Sequence, residues 1–255
     1  MTTNPPKKSD LGVRVLSAIV MVAVAGTALW LGGWVWTLFV AAVGLGVLWE
    51  WWGLVNGFVS KTVARIAWLT GGVGYVGLAV VTFLALRGEP VAGWSGLLII
   101  LLSVIGTDIG AYFAGRAIGG PKIAPAISPS KTWSGLVGGI LGASFGTWIA
   151  VQISMSDRYM VLLNEKLQAQ GSSPTIYADD LVFPSLLGCV LIGTFAAVIA
   201  QSGDFFESWM KRKAGVKDSG RLIPGHGGLF DRVDGLLAVA FAFGIQNLHL
   251  IKYAQ

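Results

Sequence analysis

The stretch QSGDFFESWMKRKAGVKDSGRLIPGHGGLFDRVDG, Gln201 to Gly235, holds five of the chain's thirteen acidic residues, Asp204, Glu207, Asp218, Asp231 and Asp234. It also holds six of its eighteen Lys and Arg residues. Asp204, Glu207, Ser208 and Lys211 recur at i, i+3, i+4 and i+7, and Asp231 and Asp234 at i, i+3, so each set shares one face of a helix. Two such helices packed antiparallel would gather Asp204, Asp231 and Asp234. Three facing carboxylates repel one another and resist desolvation, and a divalent cation with hard oxygen ligands is the simple remedy. Pairing of each carboxylate with a neighbouring Lys or Arg is the alternative. Between the two sets lies IPGHGG, Ile223 to Gly228, whose glycines allow backbone N–H groups to approach an anion closely. Carboxylates for a metal, cations and an amide-rich turn together suit a metal-bound polyphosphate. His226 in that turn could move a proton, donate to a phosphate, or simply hold the turn by a hydrogen bond.

The elements that must position these groups are apolar. The 255-residue chain is 54% hydrophobic and 12% charged, carries eleven tryptophans and has a mean hydropathy of +0.70. That composition excludes a soluble globular domain and implies an all-α, polytopic membrane protein. Val15 to Trp49 is an uncharged run of 35 residues. As helix it would measure about 52 Å against a hydrocarbon core of about 30 Å, so Gly32-Gly33 is expected to divide it into two spans. Ile66–Leu86, with a kink expected at Gly71–Gly74, Trp94–Ala114, Thr132–Ser154, Leu181–Met210 and Asp231–Ile251 give about seven spans in all. Residues 1–10 are expected to be a disordered tail, and Met155 to Asp180 a polar exposed loop. The whole chain is expected to be a single integral-membrane domain. No cleavable signal is evident, and the single cysteine, Cys189, allows no intrachain disulfide.

With the N-terminus cytoplasmic, fourteen Lys and Arg fall inside, and only Arg87, Arg158, Lys166 and Lys252 outside. The positive-inside rule therefore places the charged hairpin, and any active site on it, in the cytoplasm. The pI of about 9.4 is explained by these anchors and by phosphate binding, with no need for a nucleic-acid partner. Lys211-Arg212-Lys213 also suits a topology anchor facing anionic headgroups. Glu50, in LWEWW, is expected at the membrane interface within an aromatic belt.

A second informative stretch, TDIGAYFAGRAIGGPKIAPAISPSKTWSGLVGG, runs from Thr107 to Gly139. Asp108 lies inside a span, where a carboxylate is expensive unless it serves a site or pairs with a group such as Arg116. Ser128, Ser130, Lys131 and Thr132 place hydroxyls and an ammonium where a helix is expected to begin, which favours phosphate; they serve equally as an ordinary cap.

Ser208 to Asp234 reads S-W-M-K-R, four residues, then K-D-S-G-R-L-I-P-G-H-G-G-L-F-D-R-V-D. This resembles the signature of the phosphatidate cytidylyltransferases, or CDP-diacylglycerol synthases, over some 27 positions. Ser128-Pro129-Ser130-Lys131-Thr132-Trp133 resembles a second motif of that family, with Ser134 where a glutamate is usual. The resemblance implies transfer of a cytidylyl group from CTP to phosphatidic acid at a bacterial-type plasma membrane. It implies Mg²⁺ held by Asp204, Asp231 and Asp234, K⁺ beside it, and pairing of two copies in the membrane. It further implies catalytic roles for Lys217, Asp218, His226 and Arg232. Substrate phosphates would be bound by Ser128, Lys131, Thr132, Lys211, Arg212, Arg221, Gly227 and Gly228. A cytidylyltransferase for an isoprenoid glycerophosphate would keep the same site, and a non-catalytic transporter or binding protein for anionic lipids would explain the basic loops alone. A CDP-alcohol phosphotransferase would need a D-G-x-x-A-R helix motif that the sequence lacks.

Overall fold

The computed structural model describes residues 11–88, 93–170 and 185–246, and these are almost entirely α-helical. The expected tail, residues 171–180 of the expected loop, the first residues of the Leu181–Met210 span and the end of the last span lie outside the described residues. Helices α1 (Leu11–Leu31) and α2 (Gly33–Phe58) divide the long uncharged run where expected, at Gly32 and Gly33, whose φ angles of 63° and 51° suit glycine. α3 (Thr62–Gly88) passes through Gly71–Gly74 as one helix, and Gly72 leaves room for the indole of Trp51. α4 (Gly93–Ala117), α5 (Trp133–Gln170), α6 (Leu186–Ala214) and α7 (Phe230–Gln246) follow. α1 to α6 are each long and apolar enough to cross a membrane, and α7 supplies seventeen further helical residues at the seventh expected position. The protein is a multi-pass membrane protein.

Met155–Gln170, expected in a loop, instead continues α5. No Gly or Pro interrupts the sequence between Gly146 and Gly171, so nothing in the sequence halts the helix at the end of its apolar stretch. Ser128–Thr132, expected at a helix start, forms strand β2, paired antiparallel with β1 (Lys122–Ala124) so that Lys122 faces Thr132. This hairpin joins α4 to α5, and Thr132 caps α5 by accepting from the Gly135 amide at 3.1 Å.

α4 and α5 approach backbone to backbone. A Cβ on Gly106 would collide with the Gly142 carbonyl, and one on Gly110 with that of Gly138. α6 and α7 form the expected antiparallel hairpin, and α6 ends at Gly215 in the left-handed conformation. Trp51 of α2 ties this hairpin to the rest of the bundle. Its ring centroid lies 5.7 Å from that of Phe206 on α6 and 5.8 Å from that of Phe230 on α7. Its indole also donates to the Trp68 carbonyl of α3 at 3.1 Å.

Candidate active site

At the end of the bundle where α4 and α6 finish and α5 and α7 begin, carboxylates from three helices meet one ammonium. Asp108 of α4, Asp204 of α6 and Asp234 of α7 line a small cleft of about 30 Å³ together with Lys131 of β2 and Arg232. A larger cleft of about 340 Å³ adjoins it, sharing Asp108, Lys131, Gln201 and Asp204 and adding Tyr112, Arg116, Ser130 and Thr132. Lys131 is ion-paired with Asp204 and also lies 5.2 Å from the ring centroid of Phe205. Ser208 donates to Asp204 at 3.4 Å, and the Gly235 amide donates to Asp234 at 2.8 Å. The three carboxylates are near enough to feel one another's charge, which favours a cation between them. Arg116 is not the ion-pair partner of Asp108: its guanidinium donates to the Tyr112 hydroxyl at 3.0 Å.

Asp231 stands apart from this cleft. One of its oxygens accepts from Lys211 at 2.6 Å, and the other from the Ser219 amide, the Ser219 hydroxyl and the Gly228 amide at 2.8, 2.9 and 2.9 Å. Lys211 also pairs with the buried Glu207, one turn earlier on α6, at 2.5 Å. The three aspartates expected to converge are therefore divided, with Asp204 and Asp234 on the cleft and Asp231 inside the hairpin loop. Spacing of i, i+3 leaves about 60° between Asp231 and Asp234 around the helix. That is enough to give them different neighbours. Among the described residues, no three Asp, Glu, His or Cys side chains form a ready-made metal cage.

The residue whose role sequence reasoning did not foresee is Glu50. It is 3% exposed and lies within α2, which continues to Phe58. Its carboxylate accepts from the Leu229 amide at 2.9 Å, the Phe230 amide at 2.8 Å and the Ser219 hydroxyl at 2.9 Å. Gly220 and Gly228 supply the space, since a Cβ on either would collide with this cluster. The start of α7, the kind of position that attracts anions, is thus filled by a carboxylate from α2. The Gly228 amide, expected to face a phosphate, faces Asp231, and the Gly227 carbonyl accepts from Ile223 at 3.0 Å. A lone glutamate in an apolar helix was the available signal, because such a group persists only with partners.

The remaining residues scatter around this frame. Lys217, Asp218 and Arg221 are exposed on the α6–α7 loop. Arg232 donates to the His226 carbonyl at 2.8 and 3.3 Å while bordering the small cleft. The His226 Nδ1 lies 2.7 Å from the Ser17 hydroxyl, which ties the turn to α1. Arg212 donates to the Ile127 carbonyl at 3.3 Å, joining α6 to the β-hairpin, and Ser128 is buried within β2. Ser134 also holds this region together, donating to the Gly119 carbonyl.

Fold and site together define a multi-pass helical membrane protein with an acidic, lysine-bearing cleft where its helices end. Residues 52–248 match the cytidylyltransferase family, and the chain belongs to it. It is 32% identical to a phosphatidate cytidylyltransferase of Brucella suis biovar 1 over 273 aligned positions, covering 91% of both chains. It is 34% identical to one of Rickettsia bellii over 246, covering 96% of this chain and 94% of the relative.

Proposed function

We propose that the chain transfers a cytidylyl group from CTP to phosphatidic acid, releasing pyrophosphate and forming CDP-diacylglycerol. Membership of the family and full-length similarity to phosphatidate cytidylyltransferases support the reaction. The observation that carries it to a site is the meeting of Asp108, Asp204 and Asp234 with Lys131 in one cleft at the bundle's end.

In this reading a phosphate oxygen of phosphatidic acid forms a bond to the α-phosphorus of CTP. The bond from that phosphorus to the oxygen bridging to the β-phosphate breaks, and pyrophosphate leaves with the electron pair. The nucleophile is already an anion and needs no base, so the protein's task is positioning and charge stabilisation. Lys131, held beside Asp204, presents an ammonium to substrate phosphates, and Arg232, which borders the small cleft, adds positive charge; Lys217 and Arg221 on the exposed α6–α7 loop are assigned to phosphate on the family resemblance alone. The donor set fits Mg²⁺ in kind: this ion is commonly held by one or two carboxylates together with substrate phosphates, and Asp204 and Asp234, the two expected ligands on the cleft, line it beside Asp108. When bound, Mg²⁺ would neutralise charge on the triphosphate, with K⁺ beside it as the family resemblance implies. Asp231 serves by fixing Lys211, Ser219 and Gly228, and so the loop between α6 and α7. The site faces the cytoplasm, where CTP is, a placement supported by the distribution of Lys and Arg. Pyrophosphate release by the purified protein with CTP, Mg²⁺ and phosphatidic acid tests the proposal. Release that requires all three components supports it, and release that ignores the lipid refutes it.

A further inference from the structure

Gln201 begins the charged stretch, yet no role was expected of it. It lies one turn before Asp204 on α6 and is 7% exposed, and its side chain lines both clefts. Among the described residues its Nε2 has no hydrogen-bond partner. A buried amide without a partner is unfavourable, and most such groups in folded proteins are satisfied. The surroundings show that the position of this amide is specified. A Cβ on Gly139 of α5 would lie 3.0 Å from Nε2 and 3.3 Å from the Thr107 methyl, so glycine leaves a slot that the amide fills. The amide also differs in kind from its neighbours. Asp108, Asp204, Asp234 and Lys131 are ionisable, whereas Gln201 offers a neutral donor that adds no charge and does not titrate.

We propose that Gln201 is a substrate-binding residue whose amide, its Nε2 enclosed against Gly139 in this structure, turns to donate a hydrogen bond to a phosphoryl oxygen held in the cleft. The inference rests on the proposed cytidylyl transfer and adds a residue to it. A phosphoryl oxygen fits because it is anionic and only accepts, and because Lys131 stands on the same cleft to receive its charge. The chemistry is common to the triphosphate of CTP and the phosphomonoester of phosphatidic acid, so kinetics must decide which one Gln201 meets.

The test compares the wild type with Gln201→Met, which keeps length and volume but removes the donor. KM for CTP and for phosphatidic acid, kcat, equilibrium binding of CTP in the presence of Mg²⁺, and thermal stability in detergent would all be measured. Loss of one hydrogen bond to a charged group predicts a fall in kcat/KM of roughly 10- to 100-fold, with unfolding temperature unchanged or raised. A rise in KM for CTP with weaker CTP binding assigns the nucleotide phosphate, and a rise confined to phosphatidic acid assigns the lipid. A wild type that turns over beside a Gln201→Met protein with unchanged kinetics would overturn this inference alone, leaving the amide to water. A wild type that neither turns over nor binds CTP would overturn the proposed function and this inference together.

Discussion

Removing the Glu50 carboxylate should loosen the site from behind. In Glu50→Ala the Leu229 and Phe230 amides lose their acceptor within a region that stays closed to water, and the Ser219 hydroxyl keeps only Asp231. A hydrogen bond to a charged group contributes about 1.5–3 kcal/mol, and the two amide bonds alone give about 3–6 kcal/mol as an upper range. The hydroxyl adds little, because its single proton serves either Glu50 or Asp231. Breaking a buried charged arrangement by deleting one partner typically costs about 3–5 kcal/mol, so the two routes agree. Glu50→Gln keeps the shape but turns an NH₂ toward one of the amides, and should forfeit about half as much. The expected result is a graded loss of thermal stability in detergent, Ala beyond Gln, with pyrophosphate release falling in the same order. Because Phe230 packs on Trp51, the α6–α7 loop should also become more open to proteolysis in the same order. An alanine variant as stable, as protease-resistant and as active as the wild type would refute the claim that α2 holds the start of α7.

Asp231→Asn should lower turnover at least about 100-fold, because it weakens the acceptor that holds Lys211, Ser219 and the Gly228 amide in place and leaves Lys211 to Glu207 alone; retention of wild-type kcat would contradict that role. Lys131→Met removes the ammonium between Asp204 and the substrate phosphates and should lower kcat/KM by roughly 10- to 100-fold, measured by pyrophosphate release. Chelation with EDTA should abolish release and added Mg²⁺ restore it, while exchange of K⁺ for choline should lower the rate; activity indifferent to both would remove the metal from the account. Ser17→Ala should leave kcat within about twofold while weakening the docking of α1 on the His226 turn, read as faster proteolysis of the α6–α7 loop.

Much of the fold was legible because lipid imposes length and polarity rules that the sequence must obey. The division at Gly32-Gly33 and the hairpin around the charged stretch follow from those rules. The misread elements are those where tertiary contacts decide. Gly72, read as part of a kink, makes room for Trp51, and the helix start read at Ser128–Thr132 is confined to Thr132, which caps α5, while the residues before it pair as a strand. The extent of α5 was misread because polarity was taken as loop although no helix breaker was present. In the site, i, i+3 spacing showed which carboxylates share a helix but not which cation each would meet. Lys211 takes Asp231, and Lys131, distant in sequence, takes Asp204. Glu50 and Gln201 were hidden for one reason. A single polar residue on an apolar helix shows that a partner exists, and the partners of Glu50 lie some 170–180 positions away.

The most direct test follows a label from CTP into lipid. With CTP radiolabelled at the α-phosphate, purified protein, Mg²⁺ and phosphatidic acid should transfer radioactivity to an organic-soluble product that releases CMP on hydrolysis, and Asp234→Asn should abolish that transfer. Label that stays in the aqueous phase while the wild type binds CTP, or transfer undiminished in Asp234→Asn, would contradict the account.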